Sequence, residues 1–136
     1  MRIKPFVQRM IGLLAIGLNC TRWNPDFRIF HKTADIVRLS TSDALVFVEE
    51  RDDSVDDGYF KVDMVTEQIA NVPAGFHTSS GAVTFADGHA EIHRWQSSEV
   101  LAGQQAGFET LKHTDVPVAP DNPDLAWLRA HATTAN

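Results

Sequence analysis

The stretch that decides the fold of this protein is GAVTFADGHAEIHRW, residues 81–95. Its centre is Asp87-Gly88, a preferred dipeptide for a two-residue type I′ turn because both central positions of that turn need a positive φ. We therefore predict a β-hairpin in which Ala86 pairs with His89 and Val83 pairs with Ile92. Alternation along the strands then separates a core face from a solvent face. The predicted core face carries Val83, Phe85, Ala90 and Ile92, and the opposite face carries Thr84, Ala86, His89, Glu91, His93 and Trp95.

The segments on either side of this hairpin predict the remaining elements of a small fold. Residues 43–49 read DALVFVE, a short apolar run that is typical of a central strand. Residues 59–65 alternate polar and apolar side chains, which predicts a half-buried strand. Residues 122–129 combine an N-cap asparagine with proline at the first helical position and predict a helix. A short helix capped by Ser97 or Ser98 and ending near Gln105 completes an α+β fold, a small antiparallel sheet with short helices.

Length and composition indicate one globular domain. The chain has 136 residues, of which 43% are hydrophobic and 22% charged, enough to bury a core without disulfides or structural metals. Its single cysteine, Cys20, excludes an internal disulfide and a cysteine-cluster metal site. The apolar run at 10–18 is too short to span a bilayer but is close to the length of a signal-peptide core. We therefore treat residues 1–15 as a separate basic and apolar segment and residues 16–136 as the domain.

Charge is distributed unevenly along the chain. Residues 1–40 contain seven lysines and arginines against two acidic residues, a balance of +5, whereas residues 41–136 carry −11, which gives the net charge of −6. An acidic body repels phosphate backbones, so we expect no nucleic-acid partner. The basic arm is expected either to be solvated or to contact an anionic membrane surface.

An acidic loop follows the predicted central strand. Six carboxylates stand within nine positions, and oxygen ligands at this density suit calcium. The spacing differs from the EF-hand series, and a solvated acidic turn is the alternative interpretation. The six residues are Glu49, Glu50, Asp52, Asp53, Asp56 and Asp57.

Histidines supply the second set of candidate site residues. The pattern His89-x-Glu91-x-His93 projects two imidazoles and a carboxylate to one side of a strand, a donor set that suits zinc if a further ligand is present. A wet strand face is the alternative. His77 precedes the hairpin and is predicted either to donate to the Asp87 carboxylate, locking the hairpin to its neighbour, or to bond backbone carbonyls.

A family resemblance rests on these same residues and on the blocks around them. His77, nine intervening residues and Asp87-Gly88 resemble the signature of the H-x9-DG domain, found in prepilin-like proteins related to the pseudopilins of type II secretion. Further blocks resemble the family in the family's order, and together they cover residues 16–136. These blocks are residues 30–36, 44–50, 52–60, 73–77, 89–95 and 122–128.

The resemblance implies a periplasmic, envelope or extracellular domain whose sheet packs on a long N-terminal helix. Residues 1–20 do not match the family's leader and helix, so we expect either a fragment or a free domain that has lost this scaffold; a genuine leaderless start would instead place the protein in the cytoplasm. Major pseudopilins bind calcium near the end of the sheet domain, which directs the calcium prediction to four residues of the acidic loop. These are Glu49, Asp52, Asp56 and Asp57.

Two functions follow as hypotheses. The first is a pseudopilin-like, non-catalytic envelope domain whose sheet edge serves self-assembly, as a homodimer, or binds secretion-system components, with membrane contact only through an upstream helix. The alternative is a small metal-dependent hydrolase acting on a lactone or ester, with zinc or another divalent ion activating water. Its candidate catalytic residues are His77, Asp87, His89, Glu91 and His93.

Overall fold

The computed structural model describes residues 26–28, 30, 32–51, 54, 60–102 and 115–136, together with the backbone of residues 8–10. Short strands, a 3-10 turn at Thr33–Asp35 and two helices make up the regular structure of these ranges. The strands are β1 (Gln8–Met10), β2 (Leu45–Glu49), β3 (Gln68–Ile69), β4 (Ser80–Phe85), β5 (Ala90–Arg94) and β6 (Val116–Pro117), and the helices are α1 (Ser98–Leu101) and α2 (Pro123–Ala132). The α+β class predicted from the sequence is confirmed.

The main sheet is antiparallel and has the strand order β1-β2-β4-β5. β2 lies inside this sheet, as the apolar run at 43–49 predicted. A register irregularity between Leu45 and Phe47 lets Leu45 and Val48 both face the core, while Phe47 turns outward. β1 brings residues 8–10, which the sequence analysis assigned to a separate segment, into this sheet beside β2. β3 and β6 form a second, two-stranded sheet.

The pairing of β4 with β5 differs by one residue from the predicted register. Thr84 pairs with Ala90 and Ala82 pairs with Ile92, so three residues rather than two connect the strands. A type I′ turn needs two successive positive φ angles, and here Gly88 alone has one, at 95°. The Gly88 N–H donates to the Phe85 carbonyl at 3.0 Å, which closes a three-residue connection with glycine in the left-handed position.

This shift by one residue makes the predicted core face wrong on β5. Val83 and Phe85 are buried as predicted, but Ala90 is exposed and Ile92 has 64% of its surface exposed. His89, Glu91 and His93 instead lie on the face that β4 turns toward the core, because a slip by one residue moves every side chain of the strand to the other face.

The predicted strand at 59–65 is also wrong over its described residues, 60–65, which form no strand. The Asp63 side chain accepts hydrogen bonds from the N–H groups of Val65 and Thr66, both at 2.8 Å, and this local turn competes with an extended ladder. Phe60 is nevertheless buried, as the alternating pattern required.

The core lies between the sheet and helix α2. Asn122 caps α2 by accepting hydrogen bonds from the N–H groups of Asp124 and Leu125, and Pro123 occupies the first turn, so the predicted helix is confirmed. Ser97 caps α1, which ends at Leu101, short of the predicted limit. No helix within the described ranges is long and apolar enough to cross a membrane. The buried apolar residues that pack together are Leu45, Val48, Phe60, Ile69, Val72, Val83, Phe85, Trp95, Val100, Leu125 and Leu128.

Candidate functional site

One end of the β4–β5 pair is closed by a buried tryptophan. Trp95 follows β5, has only 1% of its surface exposed, and donates its indole N–H to the Ala74 carbonyl at 2.8 Å. Gly81 makes room for this bond, because a Cβ at Gly81 would overlap the Ala74 carbonyl oxygen and lie 3.2 Å from the indole nitrogen. Trp95 also donates its backbone N–H to Ser79 at 2.8 Å. The end of β5 is thus fixed by side-chain and backbone hydrogen bonds.

A buried carboxylate secures the turn that follows. Asp124, on the first turn of α2, is fully buried and accepts hydrogen bonds from the backbone N–H groups of Gln96 and Ser97 and from the Ser97 hydroxyl. Both carboxylate oxygens therefore have partners, as a buried charge requires. This contact of Asp124 was not predicted from the sequence; the position of Asp124 in the first turn of the helix predicted at 122–129 was the available signal.

The predicted histidine face is present, and α2 covers part of it. His93 stacks on Trp127 with ring centroids 3.7 Å apart, and His131 stacks on Trp127 at 4.2 Å. Two rings that close to one indole cannot share a face of it, so Trp127 lies between the two imidazoles. His131 also contacts the carbonyl of Trp127 through Nδ1 at 2.7 Å. His131 was not predicted as a site residue. Its position four residues after Trp127 on a predicted helix was the available signal, because residues at this spacing lie on the same face of a helix.

Because it is partly buried, His93 stays neutral to a lower pH than a histidine in water does. Desolvation lowers the pKa of His93 below its ordinary value of 6.5, the charges of Asp124 and Glu91 raise it, and His131 lowers it further. In the part of the chain that the structure describes, the Nε2 atom of His93 is buried and has no hydrogen-bond partner. In this setting the His93 ring packs as an aromatic group between Trp95 and Trp127.

The other end of the β4–β5 pair carries the Asp87–His89 contact. The Asp87 carboxylate accepts from the backbone N–H of His89 at 3.1 Å and contacts its Nδ1 at 2.6 Å, while the His89 ring stacks on Phe85 at 4.3 Å. The backbone hydrogen bond from His89, followed by the side-chain bond and the charge of His89, lowers the pKa of Asp87. Both side chains remain exposed to solvent.

His77 lies away from this pair, so the predicted donation from His77 to Asp87 is wrong. His77 and Ser80 exchange backbone hydrogen bonds at 3.2 Å across a tight turn, with Thr78 and Ser79 at positive φ. That turn precedes β4, whereas Asp87 comes after the end of β4. Because the six residues of β4 span about 17 Å, His77 and Asp87 lie at opposite ends of the strand. The alternative, donation from the His77 side chain to backbone carbonyls, stays a prediction, because the bonds described for this turn are those of the main chain.

The acidic loop is described at residues 49–51 and at Ser54. Glu49 is buried at the end of β2 and accepts a hydrogen bond from the Ala82 N–H at 3.0 Å, and Glu50 accepts from the Asn71 amide at 2.9 Å. Asp52, Asp56 and Asp57 lie outside the described residues, so the calcium prediction stays a prediction. Among the residues whose placement is described, no three histidine, cysteine or acidic side chains are grouped as a metal site would need.

The outer edge of β5 is the remaining candidate site. The Phe85 N–H donates to the His89 carbonyl and the Trp95 N–H to the Ser79 carbonyl, which fixes the phase of the ladder between them. Glu91 and His93 consequently turn their backbone groups toward β4, and Ala90, Ile92 and Arg94 turn theirs away from it. No hydrogen bond to those outward groups occurs within the described ranges. We call these three residues the outer edge.

Comparison with known proteins gives no relative: no family model, no curated protein and no solved structure matches this chain.

Proposed function

We propose that this protein is a non-catalytic binding or assembly module that accepts an additional β-strand on its outer edge, in an envelope context of the kind that the pseudopilin-like resemblance implies. The observation that carries the proposal is the combination of unpaired backbone groups at Ala90, Ile92 and Arg94 with the exposed side chain of Ile92 at their centre. An unpaired strand edge is a template for another strand, and an exposed β-branched residue favours that pairing.

The chemistry of the outer edge suits recognition by strand addition. In this mode main-chain hydrogen bonds supply affinity, and the alternate side chains supply specificity. An added antiparallel strand can exchange two hydrogen bonds with each residue of the outer edge. Each such bond contributes about 1 kcal/mol net, so the three residues together supply several kcal/mol before the cost of association.

The fold presents this edge in a prepared conformation. Trp95 is fixed by the Ala74 carbonyl, and the turn after it is fixed by Asp124. At the other end of β5 the closing bond from Gly88 to Phe85 sets the connection to β4. Because β5 is already extended and held at both ends, a partner strand does not have to order it, and this lowers the entropic cost of binding.

A second candidate function, hydrolysis, rests on the Asp87–His89 contact. A histidine oriented by a carboxylate is a familiar general base, and the His89 ring is held against Phe85. The described contacts do not join the other three candidates to this pair: His77 lies beyond the opposite end of β4, Glu91 stands two residues from His89 along the chain, and His93 stacks on Trp127. The five residues thus offer a dyad rather than a ligand set.

Amide hydrogen exchange tests the strand-addition proposal. The full chain, kept dilute, is mixed with an excess of a synthetic peptide carrying the sequence of residues 87–96. Strand addition should protect the amides of Ala90, Ile92 and Arg94, while those of Glu91 and His93, already bonded to β4, change little. No added protection at the outward amides would contradict the proposal.

A pair of variants at Ile92 sharpens the experiment. Of the main-chain hydrogen-bonding groups, Ile92→Pro removes only the outward N–H, at a position where an edge strand tolerates proline, whereas Ile92→Thr keeps the N–H and the β-branched shape. We expect the peptide to protect Ile92→Thr and to lose most of its effect on Ile92→Pro. Equal protection of the two variants would count against main-chain pairing.

Hydrolysis is tested with a chromogenic ester and a lactone, with and without a chelator. The proposed function predicts no chelator-sensitive turnover and no difference between the parent chain and His89→Gln. Turnover that depends on both a metal and His89 would instead support the second candidate.

A further inference from the structure

We propose that the strand accepted by the outer edge is β5 of a second copy of this chain, antiparallel to the first and related to it by a two-fold axis through Ile92. This inference rests on the proposed function, because it names the partner of the same edge. Three properties of β5 point to this partner: the phase of its hydrogen bonds, the side chains that each register places opposite one another, and the exposure of Ile92.

The phase of the hydrogen bonds limits the registers in which two copies can pair. Two antiparallel edges bond only where outward-facing residues stand opposite each other. On β5 these are Ala90, Ile92 and Arg94. A register centred on Ile92 places Ile92 opposite itself and Ala90 opposite Arg94 of the second copy. All three outward residues are then used, and all occupy hydrogen-bonded positions.

Neighbouring registers that keep the same phase use the edge less well. Centred on Glu91, the register puts two carboxylates directly opposite each other, which is unfavourable, and leaves Arg94 opposite Gly88 in the connecting turn. Centred on His93, it places two histidines opposite each other and moves Ala90 beyond the end of the second strand. Registers of the other phase pair outward groups with inward ones and form no bonds.

Side chains in the Ile92-centred register are complementary. Glu91 of each copy stands opposite His93 of the other, so this register places no two acidic residues directly opposite each other. On the opposite face the two Ile92 side chains meet at the axis, at the separation of directly opposed cross-strand neighbours. The register is therefore self-complementary, as an isologous dimer requires.

The exposure of Ile92 agrees with this register. Five large apolar side chains are exposed in the described ranges, and Ile92, at 64%, and Val65, at 63%, are the two most exposed of them. Ile92 lies at the centre of the outer edge, where pairing with a second copy would remove its side chain from water. The remaining four, which lie away from β5 in sequence, are Val37, Phe47, Val65 and Phe76.

Cysteine cross-linking tests the register. In a Cys20→Ser background, which removes the single native thiol, Ile92→Cys places the two new thiols opposite each other across the axis, within disulfide reach. Ala90→Cys is the matched control, because each new cysteine then faces Arg94 of the other copy and lies several residues from its own counterpart. Under mild oxidation we expect at least about tenfold more covalent dimer from Ile92→Cys.

The double variant Ala90→Cys/Arg94→Cys provides an independent check, since it should cross-link through two pairs. Equal dimer formation by Ile92→Cys and Ala90→Cys would overturn the register, as would absence of dimer from both Ile92→Cys and the double variant. Sedimentation equilibrium of the unmodified chain, from about 1 to 300 µM, should show a monomer–dimer equilibrium. A monomer throughout that range would overturn the inference without any variant.

Results from the peptide experiment separate this inference from the proposed function. Protection of the outward amides by the peptide, with no cross-link at Ile92, would leave strand addition standing and remove the second copy as its natural partner. Failure of both experiments would remove both.

Discussion

The two ends of the β4–β5 pair are built on different principles. At the closed end, defined by Ala74, Gly81, Trp95, Ser97 and Asp124, every contact is buried and joins elements far apart in sequence. At the open end, defined by Asp87, Gly88 and His89, the side-chain contacts are exposed and join residues two positions apart, and one main-chain bond, from the Asp87 N–H to the Thr41 carbonyl at 3.1 Å, reaches a distant segment.

The residues expected to control the stability of this protein are not those of its Asp87-Gly88 motif. The closed end holds β5 against the core, so its residues should control the free energy of unfolding. The open end contains two of the residues on which the family resemblance rests, Asp87 and Gly88, yet its side-chain contacts are local, and the bond from Asp87 to Thr41 uses only the main chain. We therefore expect the side chains of this motif to contribute less to stability than those of the closed end.

The largest expected effect comes from a glycine at the closed end. Gly81→Ala should lower the free energy of unfolding by about 4 kcal/mol, because the new Cβ overlaps the Ala74 carbonyl and displaces the Trp95 hydrogen bond. Gly88→Asn is the matched change at the open end, where a Cβ meets nothing, and should cost about 1 kcal/mol for its positive φ. Urea unfolding measures both, and equal losses would erase the distinction.

The next effect comes from the buried carboxylate. Asp124→Ala should cost about 3 kcal/mol, because it leaves the two buried donors of Ser97 and the part-buried N–H of Gln96 without an acceptor. Asp121→Ala, an exposed aspartate just before α2, is the control and should change the unfolding free energy by no more than about 0.5 kcal/mol. If Asp124→Ala unfolds no more easily than this control, the closed end does not hold β5.

A pH dependence of stability should follow from His93. Because its pKa is lowered in the folded state, the unfolded chain takes up this proton more readily. Stability should therefore fall as the pH drops below 6.5 and through the folded pKa, and it should be greatest above 6.5. Asp63 does not obscure this window: burial raises its pKa, but hydrogen bonds from Thr66, Val65 and Gln68 lower it to about 2, so its contribution is lost only from about pH 4 downward.

Urea midpoints at pH 8, 6.5 and 5 measure this dependence. His93→Phe, which keeps an aromatic ring beside Trp127, should flatten the profile between pH 8 and 5. His89→Phe, at the open end, should leave the slope in place. A slope that survives in His93→Phe would assign the effect to another group.

The smallest effect is expected at the signature aspartate. Asp87→Asn keeps an oxygen that accepts the His89 N–H, so the urea midpoint at pH 7 should not change measurably. The lowered pKa of Asp87 means that any contribution of its charge is present at neutral pH and lost as the pH falls below 3.8 and through the folded value. A large loss at pH 7 would show that the open end contributes more than a local turn.

Much of the fold could be predicted because the relevant signals are local. Asn122 and Pro123 predicted the start of α2, and the apolar run at 43–49 predicted β2. Two errors had the same origin. The Asp87-Gly88 dipeptide is compatible with connections of two or three residues, and alternation at 59–65 competes with the turn around Asp63. In each case a local pattern allowed two backbone solutions that differ in long-range packing.

The candidate site was less predictable for the same reason. The strand period correctly placed His89, Glu91 and His93 on one side, but it could not say whether that side faced water or α2. The exposed position of Ile92 depended on the same undecided register, so an apolar residue expected in the core became the centre of the outer edge.

The sequence by itself determined the helix cap at Asn122, the alternation of β5 and the position of the turn near Gly88, because caps, strand periods and glycine conformations depend on neighbouring residues. Tertiary structure alone decided the register of β5. Burial of Val83 and Phe85 fixes which face of β4 turns inward, but it allows either face of β5 to do so. Two contacts decide between them: Trp127 stacks on His93, and Trp95 donates a hydrogen bond to Ala74. Those contacts join residues dozens of positions apart, and no short stretch of the chain contains them.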